Sequence, residues 1–324
     1  MAYLILIVGL IVLLFAGDLL VRGAVTIAER LGIPSLIIGL TIVALGTSAP
    51  EMVVSLDAAL SGAPGIAVGN VVGSNIANVL LVLGLPSIVL ATRCDEPGLR
   101  RNTVFLIVAT LVFIALAWTA PLGLWQGLVM IALMAAFLVY SGARARHAMN
   151  GPEDLEAAPV DTAAAGGSRR FVPLLFLVVG LLGLPLGAHL TVAGAREIAL
   201  AFGMSDAAIG LTVVALGTSL PELAATMMAA LRRETGIAVG NVIGSNIFNL
   251  LAILGVTAVV APIPLAPAVL KVDLWVMLAA SLVIVPFVFG RFSIGRIAGL
   301  VFVASYVAYV AVVVGQHSEA LTSH

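Results

Sequence analysis

Residues 39–84 and 210–255 are two versions of one segment, and no other feature limits the fold of this 324-residue chain as tightly. The first contains GTSAPE and GNVVGSNIAN; the second contains GTSLPE and GNVIGSNIFN. Aligned without a gap, 29 of 46 positions are identical. The same offset of 171 residues pairs Gly9-Leu10 with Gly180-Leu181 and Gly23-Ala24 with Gly194-Ala195. The duplication therefore covers most of each half, and the chain must fold as two related units.

The solvent of those units follows from their composition. The chain is 62% hydrophobic and 10% charged, with a mean hydropathy of +1.22. Soluble domains carry about 25% charged residues. Apolar residues arrive in blocks such as LILIVGLIVLLFAG from Leu4 and VFLIVATLVFIALAW from Val104. With their flanks these blocks reach the length of a membrane-spanning helix, and the alternation of a membrane barrel strand is missing. The pattern predicts an all-α polytopic membrane protein of ten transmembrane helices. The first five fall near 3–28, 34–60, 66–90, 103–119 and 122–142, and the second five start near 172, 207, 237, 272 and 295. A polar stretch rich in Ala, Gly, Pro and acid lies between them and reads as a mobile linker. The expected organisation is a five-helix repeat over 1–143, a linker over 144–170 and a second five-helix repeat over 171–324. The first apolar segment lacks a basic leader and reads as a helix, not a cleaved signal.

Five helices separate equivalent points of the two copies. An odd number reverses direction in the membrane, so the halves are expected to be upside-down relative to each other. Inverted repeats of this kind build secondary transporters, with their sites near mid-membrane at the repeat interface. Arg and Lys favour cytoplasmic loops. Thirteen of them lie at the ends of the odd-to-even loops, against Arg196 and Lys271 on the other side. Both termini are therefore expected outside, the linker in the cytoplasm, and the chain in the cell's inner (plasma) membrane.

Other classes drop out. Net charge is −1 and no dense basic run exists, which argues against a nucleic-acid partner. A single Cys94 leaves no disulfide framework or thiolate cluster, and the four His residues show no metal-ligand spacing. No cofactor is expected. The bilayer and the transported ions are the expected partners, and the chain is expected to be monomeric.

Glu51 and Glu222 carry the chemistry. Each falls near the middle of an apolar span, at equivalent positions of the duplication. An ionisable group at that depth costs several kcal/mol unless paired or coordinated, which marks a functional site. Thr47 and Ser48 precede Glu51 by four and three residues, as Thr218 and Ser219 precede Glu222, so hydroxyls and carboxylate share a helix face. Pro50 and Pro221 lack an N–H and disturb the carbonyls of Gly46 and Gly217. The next helix of each half supplies Asn70, Ser74, Asn75 and Asn78, or Asn241, Ser245, Asn246 and Asn249. Ser74, Asn78, Ser245 and Asn249 are expected to face the site, whereas Asn75 and Asn246 serve equally well as interhelical hydrogen bonders. Gly69, Gly73, Gly240 and Gly244 form small-xxx-small pairs that permit close helix approach. All the donors are hard oxygens, suited to Na⁺, Ca²⁺ or Mg²⁺. One Ca²⁺ neutralises two carboxylates, as do two Na⁺, and a site that satisfies either ion alone is the minimum for exchange.

These paired motifs closely resemble the cation/calcium exchanger superfamily and, within it, the prokaryotic sodium/calcium exchangers. The resemblance covers nearly the whole chain. It implies four cation sites among the second, third, seventh and eighth helices. Glu51 and Glu222 would chelate Ca²⁺ with the carbonyls of Thr47 and Thr218. Na⁺ would use the Ala44 and Ala215 carbonyls with Thr47, Ser48, Glu51, Ser74, Thr218, Ser219, Glu222 and Ser245, while Asn78 and Asn249 would hold the central position. It further implies that three Na⁺ enter for each Ca²⁺ extruded, through sliding of the first and sixth helices. Some relatives carry Asp where this chain has Asn249. That difference argues against K⁺ co-transport and leaves three Na⁺ on two carboxylates with one excess positive charge.

Rival readings remain at this level. An H⁺-coupled exchanger of Ca²⁺ or another divalent cation would use Glu51 and Glu222 as proton carriers, although its relatives place a carboxylate shortly after the GN dipeptide, where this chain has Val and Gly. An intramembrane enzyme would need a nucleophile and a base beside the two Glu, and none accompanies them. A channel differs from an exchanger only in lacking counterflow.

Overall fold

The structure, a computed structural model, describes residues 1–119, 121–149, 171–202, 215–267 and 269–322, with the side chains of 149, 215 and 314–322 set aside. Among these residues it is all helix. Eight helices are long and apolar enough to cross a membrane, and a bent pair supplies a ninth span. In chain order they are α1 (Ala2–Leu31), the bent pair α2 (Ser35–Thr47) and α3 (Ala49–Leu60), α4 (Pro64–Val89), α5 (Leu99–Ala117) and α6 (Leu124–Met149). The second half holds α7 (Val172–Ala201), the short α8 (Ala215–Thr218), α9 (Leu220–Leu231), α10 (Thr235–Val260), α11 (Val269–Gly290) and α12 (Arg296–Thr322). The span expected from about 207 begins within 203–214, and most of the expected linker is 150–170; both stretches lie outside the described residues. The first residues of that linker continue α6, which runs past Gly142 to Met149. Ala143, Arg144, Ala145 and Arg146 are all good helix formers, and neither Gly nor Pro interrupts them.

Burial shows how the helices are layered. In α4 and α10, 72% and 83% of the apolar stretch is buried, against 33% in α1, α6, α7 and α11. These two helices form the centre, and α5, α6, α11 and α12 pack around them through Phe113, Phe137, Met277 and Phe302. A second cluster joins α1 and α7 to α2 and α9 through Leu20, Val21, Leu184 and Ala225. Large apolar side chains such as Phe15, Val139, Leu182 and Ile297 remain more than half exposed on the outside. A belt of that kind is tolerated where lipid is the solvent.

The close contact of α1 with α7 rests on missing side chains. A Cβ on Gly9 would stand 2.5 Å from the backbone nitrogen of Thr191, and one on Gly194 2.5 Å from that of Leu6. By contrast, Gly46 and Gly217 of the GTS motifs are met first by the side chains of Leu181 and Val192 on α7.

Two isolated bridges tie the loops, Thr92 with Ile294 and Leu122 with Ile263. The 171-residue offset carries Thr92 onto Ile263 and Leu122 to within one residue of Ile294. The Arg-bearing loops gather at one end of the molecule. Arg93 and Arg233 share a cavity of about 550 Å³, Arg101 and Arg291 share another, and Arg22, Arg30 and Arg232 a third. Like Glu51 and Glu222, Asp18 lies away from the loops. It lies well inside α1 and is ion-paired with Arg22 one turn on (2.8 Å) and with Arg232, which ties α1 to the end of α9.

Candidate cation-binding site

The site is built where two spans break. Ser48 ends α2 at φ −84°, ψ 5°, and Ser219 ends α8 at φ −85°, ψ 0°. Each break precedes a proline at the start of the next helix, where its missing N–H is not needed. Helices α2 and α3 meet at 43°. From sequence, Glu51 and Glu222 are expected in mid-helix; the structure places each in the first turn of a new helix, Glu51 midway along the bent span. There the N-terminal end of the helix dipole favours an anionic carboxylate. Both Glu residues have zero solvent exposure, and Glu51 lies within electrostatic reach of Glu222.

Contacts across the two halves bring the motifs together. The Ser48 hydroxyl donates to Glu222 Oε1 (2.9 Å). The Thr47 hydroxyl faces Asn241 Oδ1 (3.1 Å) and the Ala44 carbonyl (3.3 Å), which also accepts the Ser48 N–H. Asn78 Nδ2 donates to Asn246 Oδ1 (3.0 Å), and Asn246 Nδ2 donates to the Asn75 carbonyl (3.2 Å), lacing α4 to α10. Asn246 is thus an interhelical hydrogen bonder. Asn75 donates to the Val71 carbonyl of its own helix, and its Oδ1 is left without a partner.

Two positioning pairs had no role assigned from sequence. Asn70 Nδ2 donates to Ser55 Oγ (3.0 Å) and to the Glu51 carbonyl (3.3 Å). At the same offset, Asn241 Nδ2 donates to Thr226 Oγ1 (3.0 Å) and to the Glu222 carbonyl (3.4 Å). Each Asn fixes the turn that carries its Glu. The available signal was the retention of a hydroxyl, Ser55 or Thr226, one turn beyond each Glu.

The centre is strongly under-satisfied. Among the described residues, nine buried side-chain polar atoms lack a hydrogen-bond partner, and all belong to Glu51, Asn75, Asn78, Ser219, Glu222, Ser245 and Asn249. Eight of the nine are oxygens, including both of Glu51 and one of Glu222. Orphan buried groups cost about 1–3 kcal/mol each, on the order of 10 kcal/mol together, so they persist only where something else satisfies them. Ca²⁺ takes six to eight such oxygens. Of the remaining expected ligands, Thr47, Ser48 and Ser74 are buried alongside them. Thr218 closes α8 and Ala215 opens it, the latter's side chain lying outside the described set.

Surroundings of the duplicated glycines differ. A Cβ on Gly240 would stand 2.8 Å from the Leu36 carbonyl, and one on Gly244 2.5 Å from the Leu40 carbonyl, so α10 is clasped directly against α2. Gly69 and Gly73 were expected to serve the same purpose on α4. They meet no described atom within 4 Å, and Gly69 is exposed. Their partners by the offset would be Ala207 and Leu211, outside the described residues.

Comparison with known proteins places this geometry. The sodium/calcium exchanger protein family matches residues 1–143 and 172–315. The putative antiporter CaxA of Alkalimonas amylolytica is 39% identical, over 93% of this chain and 95% of its own. The sodium/calcium exchanger MaX1 of Methanosarcina acetivorans is 33% identical, over 96% and 97%. A solved structure of the sodium-calcium exchanger NCX_Mj, soaked with Na⁺ and Sr²⁺, superimposes with a TM-score of 0.82 at 32% identity, covering 96% of this chain and 97% of that one. Fold and site together define a membrane-embedded ion exchanger, not an enzyme. The chain belongs to the sodium/calcium exchanger family.

Proposed function

We propose that the chain exchanges Na⁺ for Ca²⁺ across the membrane by alternating access, with Ca²⁺ leaving the cell. The observation that carries this reading is the set of eight orphaned buried oxygens around Glu51 and Glu222. Their two carboxylates balance one Ca²⁺ or two Na⁺, so the ions compete for one centre and each must leave before the other binds. Glu51, Glu222 and the carbonyls of Thr47 and Thr218 hold Ca²⁺. Na⁺ uses the same carboxylates with Thr47, Ser48, Ser74, Thr218, Ser219, Ser245 and the carbonyls of Ala44 and Ala215. Asn78 and Asn249 hold the central position. No cofactor takes part.

The proposed topology has ten helices in two inverted repeats, with both termini outside and the Arg-bearing loops in the cytoplasm. In that frame the clasp of α10 on α2 closes the cytoplasmic side, while Gly69 and Ile66 lie exposed on the other.

Proteoliposomes loaded with Na⁺ and given external labelled Ca²⁺ test the proposal. Uptake should follow the outward Na⁺ gradient and vanish when the gradient is collapsed. Uptake that ignores Na⁺ but follows a pH gradient establishes the H⁺-coupled reading instead. Glu51→Gln and Glu222→Gln should each abolish Ca²⁺ flux, and wild-type flux in either variant would overturn the proposed chelation.

A further inference from the structure

Arg101, in the first turn of α5, and Arg144 and His147, near the end of α6, border a cavity of about 140 Å³ at the Arg-bearing end of the molecule. Among the described residues its lining contains no carboxylate. Neither arginine joins an ion pair with a described residue, and the nearby Asp95 is already held by Arg93 through a two-point contact. The wall opposite the cations is apolar, formed by Leu36 and Leu40 of α2. Tyr140 stands one turn deeper along α6, and the cavity therefore grades from cationic to apolar in the direction of the helix axes.

Each feature selects the same chemistry. A guanidinium presents a planar fork that matches a phosphate, and two forks with no ion-pair partner among the described residues, at the ends of membrane-spanning helices, form an anion site. Basic pockets between helix ends at the membrane surface take the head groups of acidic lipids. The apolar wall suits an acyl chain and offers nothing to a free, fully hydrated phosphate. We propose that this cavity binds an anionic phospholipid, with the phosphate on Arg101 and Arg144 and the chain along α2.

The position gives the site leverage. Leu36 and Leu40 form its wall, and their backbone carbonyls are the ones against which Gly240 and Gly244 close. A lipid seated there supports the back of the segment whose front closes on the central helix. Which ion drives exchange has no bearing on this cavity.

Native mass spectrometry of the full chain in a neutral detergent tests it. The probes are phosphatidylglycerol, phosphatidylcholine and inorganic phosphate. One phosphatidylglycerol per chain should be retained preferentially, and Arg101→Gln/Arg144→Gln should lower that retention at least tenfold. Arg291→Gln, in a neighbouring cavity, should leave it within twofold. Arg144→Gln alone, an exposed change near a helix end, should give a partial loss and serves if the double variant does not fold. Equal retention of phosphatidylglycerol by the wild type and the folded arginine variants overturns the proposal. So does equal retention of phosphatidylcholine, or displacement of the lipid by millimolar inorganic phosphate, which would mark a simple phosphate site.

Discussion

Helices α4 and α10 carry nearly the same sequence around GNVVGSN and GNVIGSN, but only α10 is clasped by described residues; the segment that the offset would set against α4 lies outside them. On α10, Gly240 and Gly244 touch the backbone of α2; on α4, Gly69 and Gly73 touch no described residue. The central hydrogen bonds show a similar contrast. Ser48 is bonded to Glu222, whereas the Ser219 hydroxyl and both Glu51 oxygens are unpartnered. A strictly symmetric pair of halves would make both sets of contacts or neither. At the centre the two halves therefore hold their equivalent serines differently, despite near-identical sequence.

The glycines offer the hardest test of that contrast. Gly244→Val places carbon atoms against the Leu40 backbone and should destabilise the folded protein by about 3 kcal/mol, read as a lower melting temperature in detergent. Gly73→Val, with no described atom within 4 Å of its Cβ, should cost less than about 1 kcal/mol, but it should stop Na⁺-dependent Ca²⁺ uptake if the proposed alternating access brings α4 against its partner as α10 is brought against α2. Full uptake by Gly73→Val would refute that closure.

The serines come next. Ser48→Ala removes a hydrogen bond to a buried carboxylate and should cost about 1.5–3 kcal/mol in ion-free buffer. Ser219→Ala removes an orphan hydroxyl and should leave ion-free stability unchanged or raised. Equal melting shifts for the two would show that the asymmetry at the centre has no energetic content.

Asp18 should matter least. Its counterpart at the offset is His189, which is exposed, so the ion pair to Arg232 exists in one half only. Asp18→Asn should cost less than about 1 kcal/mol, since both arginines are partly solvated. Its melting shift should shrink in high salt; a shift independent of salt would mean that Asp18 acts through packing.

Much of this is legible in the sequence because hydropathy, duplication and a buried carboxylate are local signals. Apolar blocks locate the spans, and symmetry singles out Glu51 and Glu222 from the other acids. The contacts that complete the site are not legible, because they join residues far apart. Nothing local pairs Ser48 with Glu222 or Thr47 with Asn241, across 174 and 194 residues. The glycine pairs fail for a different reason. Identical motifs give identical expectations, and the described contacts of the two motifs differ only through the tertiary arrangement. Asp18 goes unnoticed because its partner Arg232 belongs to the other half of the chain.

The seam between α1 and α7 has a mechanical consequence. Glycines let the two backbones touch at both ends of the pair, near Gly9 and Gly194 at one end and near Gly23 at the other, which resists creeping of one helix along the other. Where α7 crosses Gly46 and Gly217, the nearest atoms belong to flexible side chains, and that joint has slack. Each helix of the pair is about 45 Å long, and the pair meets the GTS breaks beside the two glutamates through these side chains, so a shift of the pair as one unit would be felt there with little steric hindrance.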